Sequence, residues 1–377
     1  MNLRRVKAVA RKEFIHVWRD PLSLTMALAT PGFLLILFGF ALTLDVDNVP
    51  LAVWDQSNTP RSRELVSRFD DSRYFSLEKR FDNYRDLVRA IDSGEVMLGL
   101  VIPRDFAALV EADRDAPVQL IVDGGDSNRA TIAIGYADAI ADQLSFDLSV
   151  ERNHLRGGKP LGVPLDARPR VWFNEDMESR NYIIPGLIAV IMMVIATMLT
   201  SLTIAREWER GTMEQLISTP VRPGELILGK LAPYFVIGAC DVLFAVLMAE
   251  FVFHVPFRGN LALLFGLSAI FLIGSLAMGM TVSIVARSQL LSCQVAVVAT
   301  FLPAFLLSGF IFTIDNMPPV IQAITHVVPA RYFVTILKGI YLKGVGLDIL
   351  GVEAAFLTAY AAVVVFIARI KLKKKLA

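Results

Sequence analysis

The chain has 377 residues, 55% of them hydrophobic and 19% charged, with a formal net charge of +1. Soluble domains carry charge on about a quarter of their residues, so this composition excludes an ordinary soluble protein and places most of the chain in a bilayer. The only two cysteines, Cys240 and Cys293, fall inside apolar stretches. They offer no disulfide framework or cysteine metal site and are expected to be inert buried thiols.

Residues 3–18 place Leu3, Val6, Ala10, Phe14, Val17 and Trp18 on one helical face, with Arg4, Lys7, Arg11 and Lys12 opposite. That pattern predicts an interfacial helix along the inner leaflet, within a cytoplasmic segment 1–21. A merely topogenic basic tail is the alternative, and the regular apolar period counts against it. Six apolar stretches then reach the roughly 20 residues a span needs: 22–44, 182–204, 229–253, 261–286, 290–312 and 348–370. The first is longer than a signal-peptide h-region and contains Pro31, so it reads as a span.

Residues 45–181 alternate β-rich and helical runs. Strands are expected at 50–54, 75–79, 97–102, 119–123 and 170–173, and helices at 60–69, 84–92, 105–112 and 127–154. The result is a mixed α/β domain inserted after the first span, with 157–169 as a flexible return linker. The segment from Asp45 to Arg180 holds 25 acidic and 17 basic residues, so the rest of the chain is basic. Lys and Arg before the first span and in the tail 371–377 make both termini cytoplasmic, which leaves the acidic domain outside. Arg331, Lys338 and Lys343 then fall on the outer side, which counts mildly against this orientation.

Within the membrane region 182–370 lies a polar island, 205–230, reading AREWERGTMEQLISTPVRPGELILGK. Its first residues continue a helix out of the bilayer, and Gly211 loosens the backbone. Thr212 with Gln215 makes a capping-box pattern for a short helix that stops before Thr219-Pro220. Pro223 suits the first position of the next long helix. Further on, 309–346 contains Gly309, Pro318, Pro319, Pro329 and Gly339 and predicts short re-entrant helices at the outer surface.

Little in the chain suggests catalysis. GELILGK, 224–230, matches GxxxxGK, but Leu231 stands where a magnesium-holding Ser or Thr is needed and the stretch enters a span. The four histidines share no metal-ligand spacing, and no HExxH motif or nucleophile elbow occurs. No metal and no nucleic-acid partner is expected. Asp241 lies near the middle of the third span and Glu250 near its outer end, where it can reach the interface. An ionisable group at membrane depth costs roughly 2.5 to 3.5 kcal/mol on insertion scales. Asp241 therefore makes either a polar interhelical bond or a contribution to translocation.

The whole pattern resembles the permease subunit of type-2 ATP-binding-cassette transporters, in the bacterial multidrug-efflux subgroup with a large outer domain. The residues that carry the resemblance are Arg11-Lys12-Glu13, Arg19-Asp20-Pro21, Glu207 to Thr212 with Leu216 and Thr219-Pro220, the stretch SGFIFTIDNMPP at 308–319, and Pro329 to Tyr332. The resemblance implies an α-helical polytopic protein with six spans, an inserted α/β extracytoplasmic domain and pairing with a second permease, the same or homologous. It also implies a separate cytoplasmic ATPase subunit that binds the ATP and magnesium, so that no cofactor belongs to this chain. The island would be a coupling helix docked on that ATPase through Glu207, Glu209, Arg210, Gly211, Thr212, Glu214, Gln215 and Leu216. Asp241, Thr197, Thr200, Phe301 and Phe305 are candidates for the translocation path of an exporter of amphipathic drugs or lipid-like molecules in the bacterial inner membrane. A periplasmic adaptor is a further candidate partner, beside membrane lipids. Two rival readings are an ATP-independent, proton-coupled transporter using Asp241 and a membrane receptor with an outer sensor domain. The receptor would need a cytoplasmic output module, and no cytoplasmic segment is long enough to fold alone.

Overall fold

The structure is a computed structural model that describes residues 2–42, 47–155, 172–174 and 178–372, with the side chains of all but residues 21–23, 26, 153–155 and 217. It divides into two compact units, Met1–Thr43 with Val171–Ala377, and Leu44–Arg170. The second ends eleven residues before the expected boundary at 181. Asn181 belongs to the first unit, where its side-chain amide donates to Asn174 Oδ1 at 2.9 Å.

The first unit opens with α1 (Leu3–Trp18), capped by the Asn2 side chain accepting from Arg4 N at 3.1 Å, and continues with α2 (Pro21–Ala41). The period of α1 separates two faces. Val17 and Glu13 are buried against the protein, whereas Leu3, Phe14, Ile15 and Trp18 are exposed, and the rings of Phe14 and Trp18 stack at 6.2 Å.

The Leu44–Arg170 unit contains β1 (Val49–Asp55), α3 (Pro60–Asp70), β2 (Phe75–Arg80), α4 (Tyr84–Asp92), β3 (Leu98–Ile102), α5 (Phe106–Glu111), β4 (Gln119–Val122) and α6 (Ser127–Leu155). The sheet order is β2-β1-β3-β4, with β1 parallel to β2 and β3, and β4 antiparallel to β3. Alternating side chains bury both faces, as β-α-β crossovers require. Leu51, Val53, Leu98 and Leu100 meet Leu65 and Phe69 of α3 and Ala133 and Leu144 of α6. Ala52 and Val101 meet Leu87 and Ala90 of α4 on the other face. The expected fifth strand is absent among the described residues: neither Trp172 nor Phe173 belongs to a strand, and Phe173 has φ of 74°, a left-handed value that no strand tolerates. Residues 170 and 171 and the expected linker 157–169 lie outside the described residues.

The first unit then resumes with α7 (Ser179–Glu209), α8 (Thr212–Ser218), α9 (Pro223–Phe251), α10 (Leu261–Ala286), α11 (Gln289–Leu307), α12 (Pro319–Thr325), α13 (Pro329–Lys338) and α14 (Leu347–Lys371). By length and apolarity α7, α9, α10, α11 and α14 can each cross a membrane. The chain is thus a polytopic membrane protein. α2 is a 21-residue helix of high apolarity, and α12 with the helical stretch Pro329–Lys343 forms a pair bent by 84°. α7 is the central helix, with 83% of its most apolar window buried against 22% for α11 and α14.

Two expected span ends move. The fifth stops at Leu307 rather than 312, because Gly309 turns left-handed at φ 77°. The third begins at Pro223, whose lack of an N–H costs nothing at a helix start. Cys240 is also exposed on α9, not buried as expected, while Cys293 is half-buried.

Candidate functional site

The polar island folds as two helix ends around a short helix. Gly211 sits at φ 69° between α7 and α8, a conformation that lacks a Cβ penalty only for glycine. The expected capping box is not formed: Gly211 is the cap, and the Thr212 hydroxyl turns back to donate to a Glu207 carboxylate oxygen. Thr219 is extended before Pro220, which ends α8 as the proline requires. Met213 is 1% exposed and anchors α8 to the protein, with Thr212 and Leu216 half-buried. Arg210, Gly211, Glu214 and Gln215 are exposed on the opposite side.

Behind α8 lies an ion-pair network that sequence reasoning missed. The Lys230 ammonium, 2% exposed, donates to Glu13 Oε2 at 3.1 Å, Glu207 Oε1 at 3.0 Å and the Thr203 carbonyl at 3.4 Å. Tyr234 donates to Glu13 Oε1 at 3.2 Å, and Lys12 donates to Glu207 Oε1 at 3.2 Å. Two carboxylates thus face two ammonium groups, which is the balance that burial of charge demands. Through Thr212 the network reaches α8, so α1, α7, α8 and α9 meet at one cluster. Two outer ties flank it. Arg206 donates to His16 Nε2 at 2.6 Å, and Glu225 accepts from Asn2 N at 2.6 Å while Arg5 donates to the Pro220 carbonyl at 2.6 Å. Glu209 is held as well, accepting from the backbone N–H of Gln289 at 2.7 Å at the start of α11.

A signal for the cluster was present in the sequence. Glu13 interrupts the apolar face that Ala10 and Val17 define on α1, and Lys230 sits a full two turns inside an apolar helix. Lys230 is also the lysine of the GxxxxGK match, and its ammonium is committed to carboxylates.

The family model described as ABC-2 family transporter protein matches residues 22–370. The chain belongs to the ABC-2 transporter family. It is 37% identical over 377 residues to the probable multidrug ABC transporter permease YbhS of Escherichia coli K12, covering 100% of this chain and 98% of that one. It is 31% identical to the probable multidrug ABC transporter permease YbhR of the same organism, covering 92% of each. The linearmycin resistance permease protein LnrN of Bacillus subtilis is 22% identical, over 96% of this chain and 97% of its own.

The path candidates of this ABC-2 protein occupy three settings. Thr197 and Thr200 are fully buried and donate to the Ser275 and Leu276 carbonyls of α10 at 3.2 and 2.8 Å, so they join two helices. Phe301 and Phe305 are half-buried and stack at 5.3 Å, with Phe38 of α2 at 6.4 Å and Phe310 at 5.7 Å from Phe305. Asp241 is 5% exposed, and its Oδ1 has no hydrogen-bond partner among the described residues. It lines a cavity of about 10 Å³ with Pro31, Met192, Tyr234 and Leu272, space for about one water and too small for a drug. Glu250 is exposed near the end of α9.

Proposed function

We propose that this chain is the membrane-spanning subunit of an ATP-driven exporter, and that α8 docks on a separate cytoplasmic ATPase which binds the ATP and magnesium. The observation that carries the reading is the hydrogen-bonded chain from Thr212 through Glu207 and Lys230 to Glu13. A push on α8 reaches two long helices and α1 without passing through a flexible joint, and such rigid coupling is what converts closure of a partner into a change of access. The contact with the ATPase is made by Arg210, Gly211, Glu214 and Gln215, which are exposed. Glu207, Glu209 and Thr212 support that surface from behind, and Leu216 seats it.

In this reading the six spans are α2, α7, α9, α10, α11 and α14, with both termini and α8 in the cytoplasm. The α/β unit lies outside, where it is free to meet a periplasmic adaptor, and α12 and α13 form the re-entrant pair. A second permease, identical or homologous, completes the pathway in the bacterial inner membrane. The relatives' names, a multidrug transporter permease and a linearmycin resistance permease, favour drugs as cargo, and we propose amphipathic drugs or lipid-like molecules. The aromatic group of Phe38, Phe301, Phe305 and Phe310 suits such cargo better than a sugar.

The test is the exchange Arg210→Glu with Glu214→Arg. Both side chains are exposed, so the permease should insert and accumulate normally. Co-purification of the co-expressed ATPase and drug export should both be lost. Retention of both would overturn the docking assignment.

A further inference from the structure

A cleft of about 500 Å³ opens between the start of α9 and the end of α14. Its walls carry two guanidinium groups, Arg222 and Arg369, and apolar side chains of Ile227, Leu228 and Val365. Both arginines are exposed, and neither guanidinium has an ion pair among the described residues. The cleft's single carboxylate cannot neutralise them. Glu225 is 2% exposed and its oxygens are taken by Asn2 N at 2.6 Å and Arg222 N at 3.0 Å, with Arg5 a further 3.8 Å away. The positive end of the long helix α9 adds to the same field.

Two unpaired cations facing one cleft repel each other and call for an anion. The apolar walls say which kind. Leu228 is 43% exposed, and it continues along a helix of spanning length, so the cleft runs from a charged mouth onto a hydrocarbon surface. A free phosphate would leave those walls wet, and a protein carboxylate would use only the mouth. We propose that this cleft binds an anionic phospholipid, its phosphate held by Arg222 and Arg369 and an acyl chain lying over Ile227, Leu228 and Val365. Basic pockets between helices at a cytoplasmic surface are suited to such headgroups. A lipid seated there would tie the end of the last span to the helix that carries Lys230. The assignment of this end to the inner leaflet rests on the proposed orientation, whereas the binding itself does not.

The experiment is native mass spectrometry of the full-length permease, delipidated in detergent and supplied with phosphatidylglycerol or phosphatidylcholine of equal chain length. Phosphatidylglycerol should be retained at one per chain with a preference of about tenfold, the size that one to two basic groups supply. The double variant Arg222→Gln with Arg369→Gln should lose that preference. The variant Lys7→Gln with Arg11→Gln, which removes two exposed charges of α1, should keep it. Equal retention of the two lipids, or equal loss in both variants, would overturn the site. So would displacement of the lipid by millimolar inorganic phosphate, which would assign the mouth to a free anion. If the Arg222, Arg369 variant keeps its lipid yet releases the co-expressed ATPase, the arginines belong to a protein contact. The lipid-retention outcomes do not depend on whether α8 couples to ATP hydrolysis; only the ATPase-release outcome rests on the proposed function.

Discussion

Lys230 shows how a charge is kept inside an apolar assembly. Its ammonium is lost to water, a cost of several kcal/mol, and is offset by two carboxylates, a carbonyl and a phenol that completes Glu13. Removing one member is therefore worse than removing none or all. Lys230→Met should lower stability by roughly 3 to 5 kcal/mol, because Glu13 and Glu207 are left buried with only the exposed Lys12, on Glu207 alone, to balance them. Lys12→Ala should cost less than about 1 kcal/mol, since its side chain is 58% exposed. Thermal unfolding of the purified permease in detergent checks both. The combination Lys230→Met, Glu13→Gln and Glu207→Gln should recover much of the lost stability while export stays impaired. Recovery of export with stability would show that the cluster is scaffold only. Each charge here was legible in the sequence as an oddity, but their meeting was not. Lys230 and Glu13 are 217 residues apart, and no local period relates them.

Helices meet most closely where one of them offers no side chain. A Cβ on Gly279 of α10 would come within 2.1 Å of the Thr197 carbonyl oxygen and 2.2 Å of Thr200 Oγ1, and a backbone oxygen cannot step aside. Gly279→Ala should therefore force α7 and α10 apart, with a loss of about 1 to 3 kcal/mol. Gly266→Ala, on the same helix with nothing within 4 Å, should be neutral or stabilise by up to about 1 kcal/mol. Unfolding temperatures of the pair separate a packing effect from helix propensity. Equal temperatures would mean that α7 and α10 do not rely on this contact. Thr197 and Thr200 belong to the same seam, which explains why two hydroxyls can lie deep in an apolar region. At this scale the sequence was most readable where period or apolar length dominates, as in α1 and α10. It was least readable where one residue's φ decides. Gly309 ends α11 early, Phe173 breaks an apparent strand, and Gly211 takes the cap position from Thr212. A left-handed backbone leaves no trace in hydropathy.

Orientation is a property of the whole molecule, and the basic residues Arg331, Lys338 and Lys343 had seemed to oppose it. The structure accounts for two of them by their partners. Arg331 donates to the Thr325 hydroxyl and to the Gln322 carbonyl at the end of α12. Lys338 donates to the Gly309 carbonyl at 2.9 Å and lies 3.2 Å from the centre of the Tyr182 ring. Charges consumed in tying α13 to α12, as Arg331 is, or to Gly309 and α7, as Lys338 is, are not the loose cations that orient a chain during insertion. The third, Lys343, lies 6.0 Å from the Phe173 ring. With those weights reduced, the proposed orientation rests on the basic α1 and the last turn of α14, and it would put the acidic α/β unit on the side of the membrane opposite α8. The consequence is testable in a variant whose free cysteines, Cys240 and Cys293, are both serine. Into that background go Ser127→Cys at the exposed start of α6 or Gln215→Cys on the exposed face of α8. In right-side-out vesicles a membrane-impermeant maleimide should label the first at once and the second only after detergent is added. Immediate labelling of Gln215→Cys with protection of Ser127→Cys would invert the molecule, and with it the assignment of α8 to a cytoplasmic ATPase.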